Sequence, residues 1–116
     1  MGDDMEKIVE QGLLYDFYGE LLTEHQKKVY KESVYNDMSL SEIADGIGIS
    51  RQGVHDLIRR CDKILYDYES KLHLVEKFSK IKISIQEINR ISEDAITENT
   101  EIQRIKKLSN EILEEL

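Results

Sequence analysis

Hydrophobic residues along this chain return every three or four positions almost from end to end, the period of helices that bury one face. From Met5 to Leu22 the residues Ile8, Val9, Leu13, Leu14, Phe17, Tyr18 and Leu21 keep that period, and Gly19 offers a stop. Thr23 and Gln26 then stand at capping-box spacing, where a hydroxyl and a side-chain amide each accept a backbone N–H that the first helical turn leaves free. A second helix therefore runs to about Tyr35, with Val29, Tyr30 and Val34 as its stripe and Asn36 and Asp37 in the turn behind it. Ser39 and Glu42 repeat the box, so a short helix starts at Leu40 and is expected to end near Gly46. Ser50 caps a longer helix, whose apolar face of Val54, Leu57, Ile58, Cys61, Ile64, Leu65 and Tyr68 reaches to about Ser70.

Further on, Leu74, Phe78, Ile81, Ile85 and Ile88 alternate four- and three-residue steps, the seam of a helix lying along a near-parallel or antiparallel neighbour. A break is expected in "SEDAITENT", where Ser92, Thr97, Asn99 and Thr100 are all competent N-caps. The last helix carries Ile102, Ile105, Leu108, Ile112, Leu113 and Leu116. Together the two make a helical hairpin with more apolar surface than an isolated pair can hide. The chain is thus expected to be all-α: a wingless helix-turn-helix bundle over residues 1–73, with the motif at about 39–69, then amphipathic helices over 74–116. That second part is expected to dimerise or dock, joining two chains into a homodimer.

The stretch "SLSEIADGIGISRQGVHDLIRRC", Ser39 to Cys61, has the spacing of a helix-turn-helix. Ala44 falls where the two helices touch and a larger side chain would part them, while Gly48 falls in the turn, where a positive φ is required. Ile43, Ile47, Ile49, Val54 and Leu57 are expected to form the small core. At 100° per residue, Gln52, Asp56, Arg59 and Lys63 point away from the apolar stripe, with His55 and Arg60 on its flanks and Arg51 at the helix start. In a major groove, Gln52 suits adenine and Arg51 guanine, His55 and Arg59 meet bases or phosphate, and Lys63 lies further out. Asp56 either accepts from cytosine or neutralises Arg59 or Arg60, which would leave an ordinary solvated salt-bridge face. On the second helix Lys27, with Lys28 and Lys31, forms a small basic patch suited to phosphates, or else another solvated face.

Charge complicates that picture, because the 116 residues carry a formal net charge of −8. The excess lies outside the motif: residues 1–18 hold five acids against one lysine, whereas residues 39–66 hold four charges of each sign. Duplex DNA rewards cations through counterion release, so strong nonspecific binding is not expected. An acidic exterior instead suits a basic partner met by electrostatic steering. Other chemistries find little support. The three histidines, His25, His55 and His73, lack a second ligand at metal spacing, and Cys61 falls on the apolar stripe as a small core residue. No phosphate-cradling loop, nucleophile elbow or paired carboxylates stand out, so neither an enzyme nor a cofactor is expected. No apolar run approaches the roughly 20 residues of a membrane span and the start of the chain is acidic, which predicts a cytoplasmic protein.

The segment "LLTEHQKKVYKESVYNDMSLSEIADGIGISRQGVHDLIRRCDKIL" resembles the DNA-binding region four of sigma factors. With the preceding "LLYDFYGELLTEHQ" and the following "YESKLHLVEKF", it is similar to the YlxM family of small bacterial helix-turn-helix proteins over about residues 8–80. The resemblance implies DNA binding, and a part in, or regulation of, the signal recognition particle pathway, with that particle's GTPase or its RNA as partners. It implies no catalytic residues. The family pattern commonly has glycine where this chain has His73, so a softened helix break is expected there.

Overall fold

Six α-helices follow one another in the computed structural model, which describes residues 2–95 and 99–116, with side chains from Glu6 onward. They are α1 (Gly2–Tyr18), α2 (Glu24–Val34), α3 (Leu40–Ile47), α4 (Arg51–Leu72), α5 (Leu74–Asp94) and α6 (Thr100–Glu115), with one 3-10 turn, Gly19–Leu21, after α1. No strand occurs among the described residues. By its internal contacts the chain divides into two units, Met1–Val75 and Glu76–Leu116.

Local chemistry places the helix starts. Thr23 and Ser39 each accept the backbone N–H three residues on, while Gln26 and Glu42 accept the caps' own N–H groups, completing both capping boxes. Ser50 accepts from the Gly53 amide at 3.0 Å and opens α4. Asn99, one of the four candidate caps, accepts from the Glu101 amide at 2.8 Å; Thr97 lies outside the described residues. The break after α4 is not softened by the absence of a glycine, because His73 itself takes the left-handed conformation, φ 55°.

In the first unit, α4 packs against α1, α2 and α3, and its single apolar stripe serves two clusters. One gathers Leu14, Tyr18, Leu22, Tyr30, Cys61 and Leu65 between α1, α2 and α4. The other gathers Val29, Ile43, Ala44 and Val54 between α2, α3 and α4, and Leu57 and Ile58 border both. Ile49, expected in this core, is instead 41% exposed: it follows the left-handed Gly48, which turns the chain outward, and Val29 of α2 fills the interior.

Buried polar groups within this unit find partners. The Gln11 amide donates to the two Asp62 carboxylate oxygens at 3.0 and 3.2 Å, and the Tyr30 hydroxyl donates to Asp62 at 2.6 Å. Burial, then the Asp62 carboxylate, pushes the Tyr30 hydroxyl well above the usual tyrosine range. At the start of α5, Tyr18 donates to Glu69 at 2.6 Å and accepts the Leu74 N–H at 3.2 Å, while Glu69 accepts the Val75 N–H at 3.0 Å. Two first-turn amides of α5 are thereby satisfied from α1 and α4, which fixes the junction at His73.

The second unit is built differently. Its most buried residues are polar: Ser92, whose hydroxyl donates to the Ile88 carbonyl, and Ser109, whose hydroxyl lies 3.1 Å from the Asn89 side-chain oxygen and 2.9 Å from the Lys106 carbonyl. Of the expected α5 seam, Ile85 is half-buried, while Phe78, Ile81 and Ile88 remain exposed.

Cys61 is fully buried, and burial, followed by the neighbouring Asp62 charge, pushes its thiol from 9.0 to about 11. The native state holds the proton that the unfolded chain releases first. This group's contribution to stability is therefore complete below pH 9 and declines as pH climbs towards 11. Denaturation midpoints followed across that window should fall in the wild type and fall less in Cys61→Ala, measured from that variant's lower starting stability. A thiol reagent at neutral pH should label the native chain far more slowly than the urea-unfolded one.

Candidate nucleic-acid interface

The helix-turn-helix is closed by a short series of backbone contacts. Gly48 caps α3 in the left-handed region, φ 74°, and its N–H donates to the Ala44 carbonyl at 2.9 Å. The Ile49 N–H reaches the same carbonyl at 3.3 Å, and two residues later α4 begins. Ala44, on the face that α3 turns inward, is 5% exposed, as a helix crossing of that closeness requires. Gly53 is a residue that the sequence pattern did not single out. A Cβ there would lie 3.2 Å from the Ser50 hydroxyl and 3.4 Å from the Ile49 side chain, so its absence leaves room for the cap. A glycine inside an otherwise good helix was the available signal.

With Val54, Cys61 and Leu65 fixed inward, the opposite side of α4 faces solvent. Arg51, Gln52, His55, Arg59 and Lys63 are all exposed there, as is Arg60. Asp56 lies among them but pairs with neither arginine: it accepts from the Gln52 amide at 2.9 Å and lies 3.8 Å from the His55 Nδ1. One hydrogen of the Gln52 amide is thus engaged, leaving a second hydrogen and the carbonyl oxygen, the pair that adenine's N7 and N6 groups require. No ion pair to Arg51, Arg59, Arg60 or Lys63 occurs among the described residues.

Lys27 is placed otherwise. It sits on α2 with its side chain 16% exposed, 3.0 Å from Glu20 and 3.3 Å from Glu24, and the Glu20 hydrogen bond pushes its ammonium above the usual lysine range. The concavity beside it sets Lys27, Lys28 and Lys31 against Glu20, Glu24 and Glu32, so no consistent positive field meets an anion there. Among the described residues no group of three or more His, Cys, Asp or Glu is arranged to hold a metal ion, and no helix is long and apolar enough to cross a membrane.

Residues 5–108 match the model of the UPF0122 family, helix-turn-helix proteins of the YlxM / p13 type. The chain belongs to this family. It is 41% identical over 107 residues to a UPF0122 protein of Shouchella clausii, an alignment covering 90% of this chain and 98% of the relative. A UPF0122 protein of Clostridium acetobutylicum is 39% identical over 111 residues, covering 93% and 96%, and one of Acetivibrio thermocellus is 40% identical over 116 residues, covering 95% and 99%. The matches therefore include α5 and most of α6 as well as the helix-turn-helix.

The left-handed turn of this YlxM / p13-like fold restricts which residue can stand at position 48. Gly48→Ala should lower the unfolding free energy by about 1–2 kcal/mol, because a Cβ at that φ crowds the backbone carbonyl. Nothing lies within 4 Å of the added carbon, so the loss is conformational, and Gly48→Asn should recover part of it in the same urea titration.

Proposed function

We propose that this protein binds duplex DNA through the exposed side of α4, without catalysis, as a regulator of transcription. The observation that carries this reading is the set of four cations, Arg51, Arg59, Arg60 and Lys63, left without an ion pair on the outer face of the second helix of a helix-turn-helix. Arg51 and Gln52 stand at the helix's amino end, the part that contacts base edges in this motif. Arg59 and Lys63, about two and three turns further on, suit the phosphates flanking the groove, and His55 lies between the two groups. Lys27 contributes little, because Glu20 and Glu24 already hold its charge. Two chains joined through residues 74–116 present two such helices, and an operator of matching two-fold symmetry follows.

The net charge of −8 supports a second reading in which the same fold binds a basic protein partner. The likeness to YlxM proteins directs this towards the GTPase of the signal recognition particle pathway, with the particle's RNA reached only through that protein.

Gel-shift titration against DNA from upstream of its own operon separates the two. On the first reading, binding at low salt weakens with a slope of log K against log salt of roughly −3 to −4 per chain, from four neutralised phosphates. Gln52→Ala and Arg51→Ala relax sequence preference by about 1–3 kcal/mol. Asp56→Asn tightens binding by removing a carboxylate from the face, and Lys27→Ala leaves it nearly unchanged. Absence of any shift at low salt, together with co-purification of the targeting GTPase or its RNA, would overturn the first reading in favour of the second.

A further inference from the structure

Among the described residues of the second unit, Glu76–Leu116, none belongs to the buried hydrophobic core. Nine of the unit's large apolar side chains are 39–66% exposed. Helical geometry groups most of them. At 100° per residue the α5 side turned to α6 is marked by Ile85, Asn89 and Ser92, and Ile81, Ile88 and Ile91 fall to one flank of it. On α6 the side turned to α5 is marked by Ile102, Ser109 and Leu113, and Ile105, Leu108 and Ile112 fall to the flank of the same hand. In an antiparallel hairpin, flanks of the same hand lie on the same side. The two rows therefore form one continuous apolar face, while Ile83, the most exposed of all at 66%, lies on the opposite side of α5.

Charge along these helices identifies the occupant. The first half of α5 holds Lys77, Lys80 and Lys82 against Glu76, and the second half holds Glu87, Glu93 and Asp94 against Arg90. On α6 the order is the same: Arg104, Lys106 and Lys107 against Glu101, then Glu111, Glu114 and Glu115. Neither helix has a basic residue in its last turn. Within α5, Lys80 pairs with Glu76 and Arg90 with Glu87 and Asp94, but the basic-then-acidic order as a whole runs against the helix macrodipole, apart from Glu76 and Glu101 in the first turns. These charges are complementary to the same sequence run backwards.

We propose that the Ile81–Ile88–Ile91 and Ile105–Leu108–Ile112 face binds the same face of a second copy of this chain, forming a four-helix bundle in which every adjacent pair of helices is antiparallel. This rests on the reading that residues 74–116 join two chains, and does not depend on what α4 contacts. In such a bundle the basic half of each helix lies beside acidic halves on both sides, whichever helix of the partner it faces. The six side chains of this face are each 42–56% exposed, and a stable interface buries roughly 800 Å² per partner. Left-handed antiparallel packing of this kind is the usual geometry of four-helix bundles.

Sedimentation equilibrium on the full chain tests this. The wild type should be a two-chain species, and Ile88→Gln with Leu108→Gln should raise the dissociation constant by a factor on the order of a hundred or more while far-ultraviolet circular dichroism keeps its helix content. Ile83→Gln removes an equally apolar side chain from the opposite side and should leave association unchanged. Lys80→Glu with Lys82→Glu, at two exposed positions, should weaken the dimer, and the weakening should shrink in high salt. A wild type that sediments as one chain overturns the joining of two copies itself. A dimer that survives the Ile88 and Leu108 changes, or that Ile83→Gln or the lysine reversals affect in the wrong sense, overturns the assignment of the face and its antiparallel order.

Discussion

One helix carries two cores along one stripe, and the rest of the first unit depends on that constraint. Val54 closes the cluster with α2 and α3, Cys61 and Leu65 close the cluster with α1 and α2, and Leu57 and Ile58 border both. A rotation of α4 about its axis would open both clusters together, since every one of these residues is on the same face. The rotational setting of α4 is therefore fixed by far more buried apolar surface than a small helix-turn-helix core could supply alone. Its outward residues are fixed with it. The direction in which Arg51, Gln52 and Arg59 project is thus a consequence of packing around Tyr18, Tyr30 and Val29, none of which approaches the exposed face.

What the sequence makes legible follows the range of each interaction. Caps are local, so Thr23, Ser39, Ser50 and the left-handed Gly48 can be placed from spacing alone, and all four hold in the structure. The Gln11–Asp62–Tyr30 network joins residues 51 and 32 positions apart, and no periodic pattern carries that information. Ile49 is apolar and sits between two helices, yet the turn geometry, which periodicity does not encode, points it outward. Lys27 shows the same limit for charge: its neighbours in sequence suggest a basic patch, while Glu20, seven residues earlier across a helix boundary, holds its ammonium. Asp56 is the converse case. Spacing offers it two arginines, and the structure pairs it with Gln52 and His55.

The distribution of charge bears on how a face of this kind discriminates. Acidic residues concentrated outside residues 39–66 oppose loose attachment to phosphate at long range, within the limit set by the screening length of about 10 Å at 0.1 M salt. Close contact is another matter, because the four cations on α4 are exposed and without an ion pair among the described residues, so on the proposed reading they would meet phosphates without rearrangement. If the motif reads DNA as proposed, an acidic body with a locally neutral motif would weaken nonspecific binding more than specific binding, and the ratio of the two matters more in a genome than affinity alone.

Few phosphate contacts also set a limit on what one chain can do. On the proposed DNA-binding reading, four cations and the few base contacts one helix can make would give modest affinity at physiological salt, and the remaining acidity would lower it further. Tethering a second reading helix converts the second binding event into an intramolecular one, which multiplies affinity by a large factor without any new kind of contact. The two units are complementary in that sense. The first has a well-buried core and an exposed cationic face on α4; the second has an apolar face, no buried hydrophobic residue among the described residues, and charges ordered against its helix dipoles. Association of the second unit with its own copy would resolve its unburied surface and unfavourable dipoles together, and would supply the second reading helix that a face as sparse as that of α4 requires.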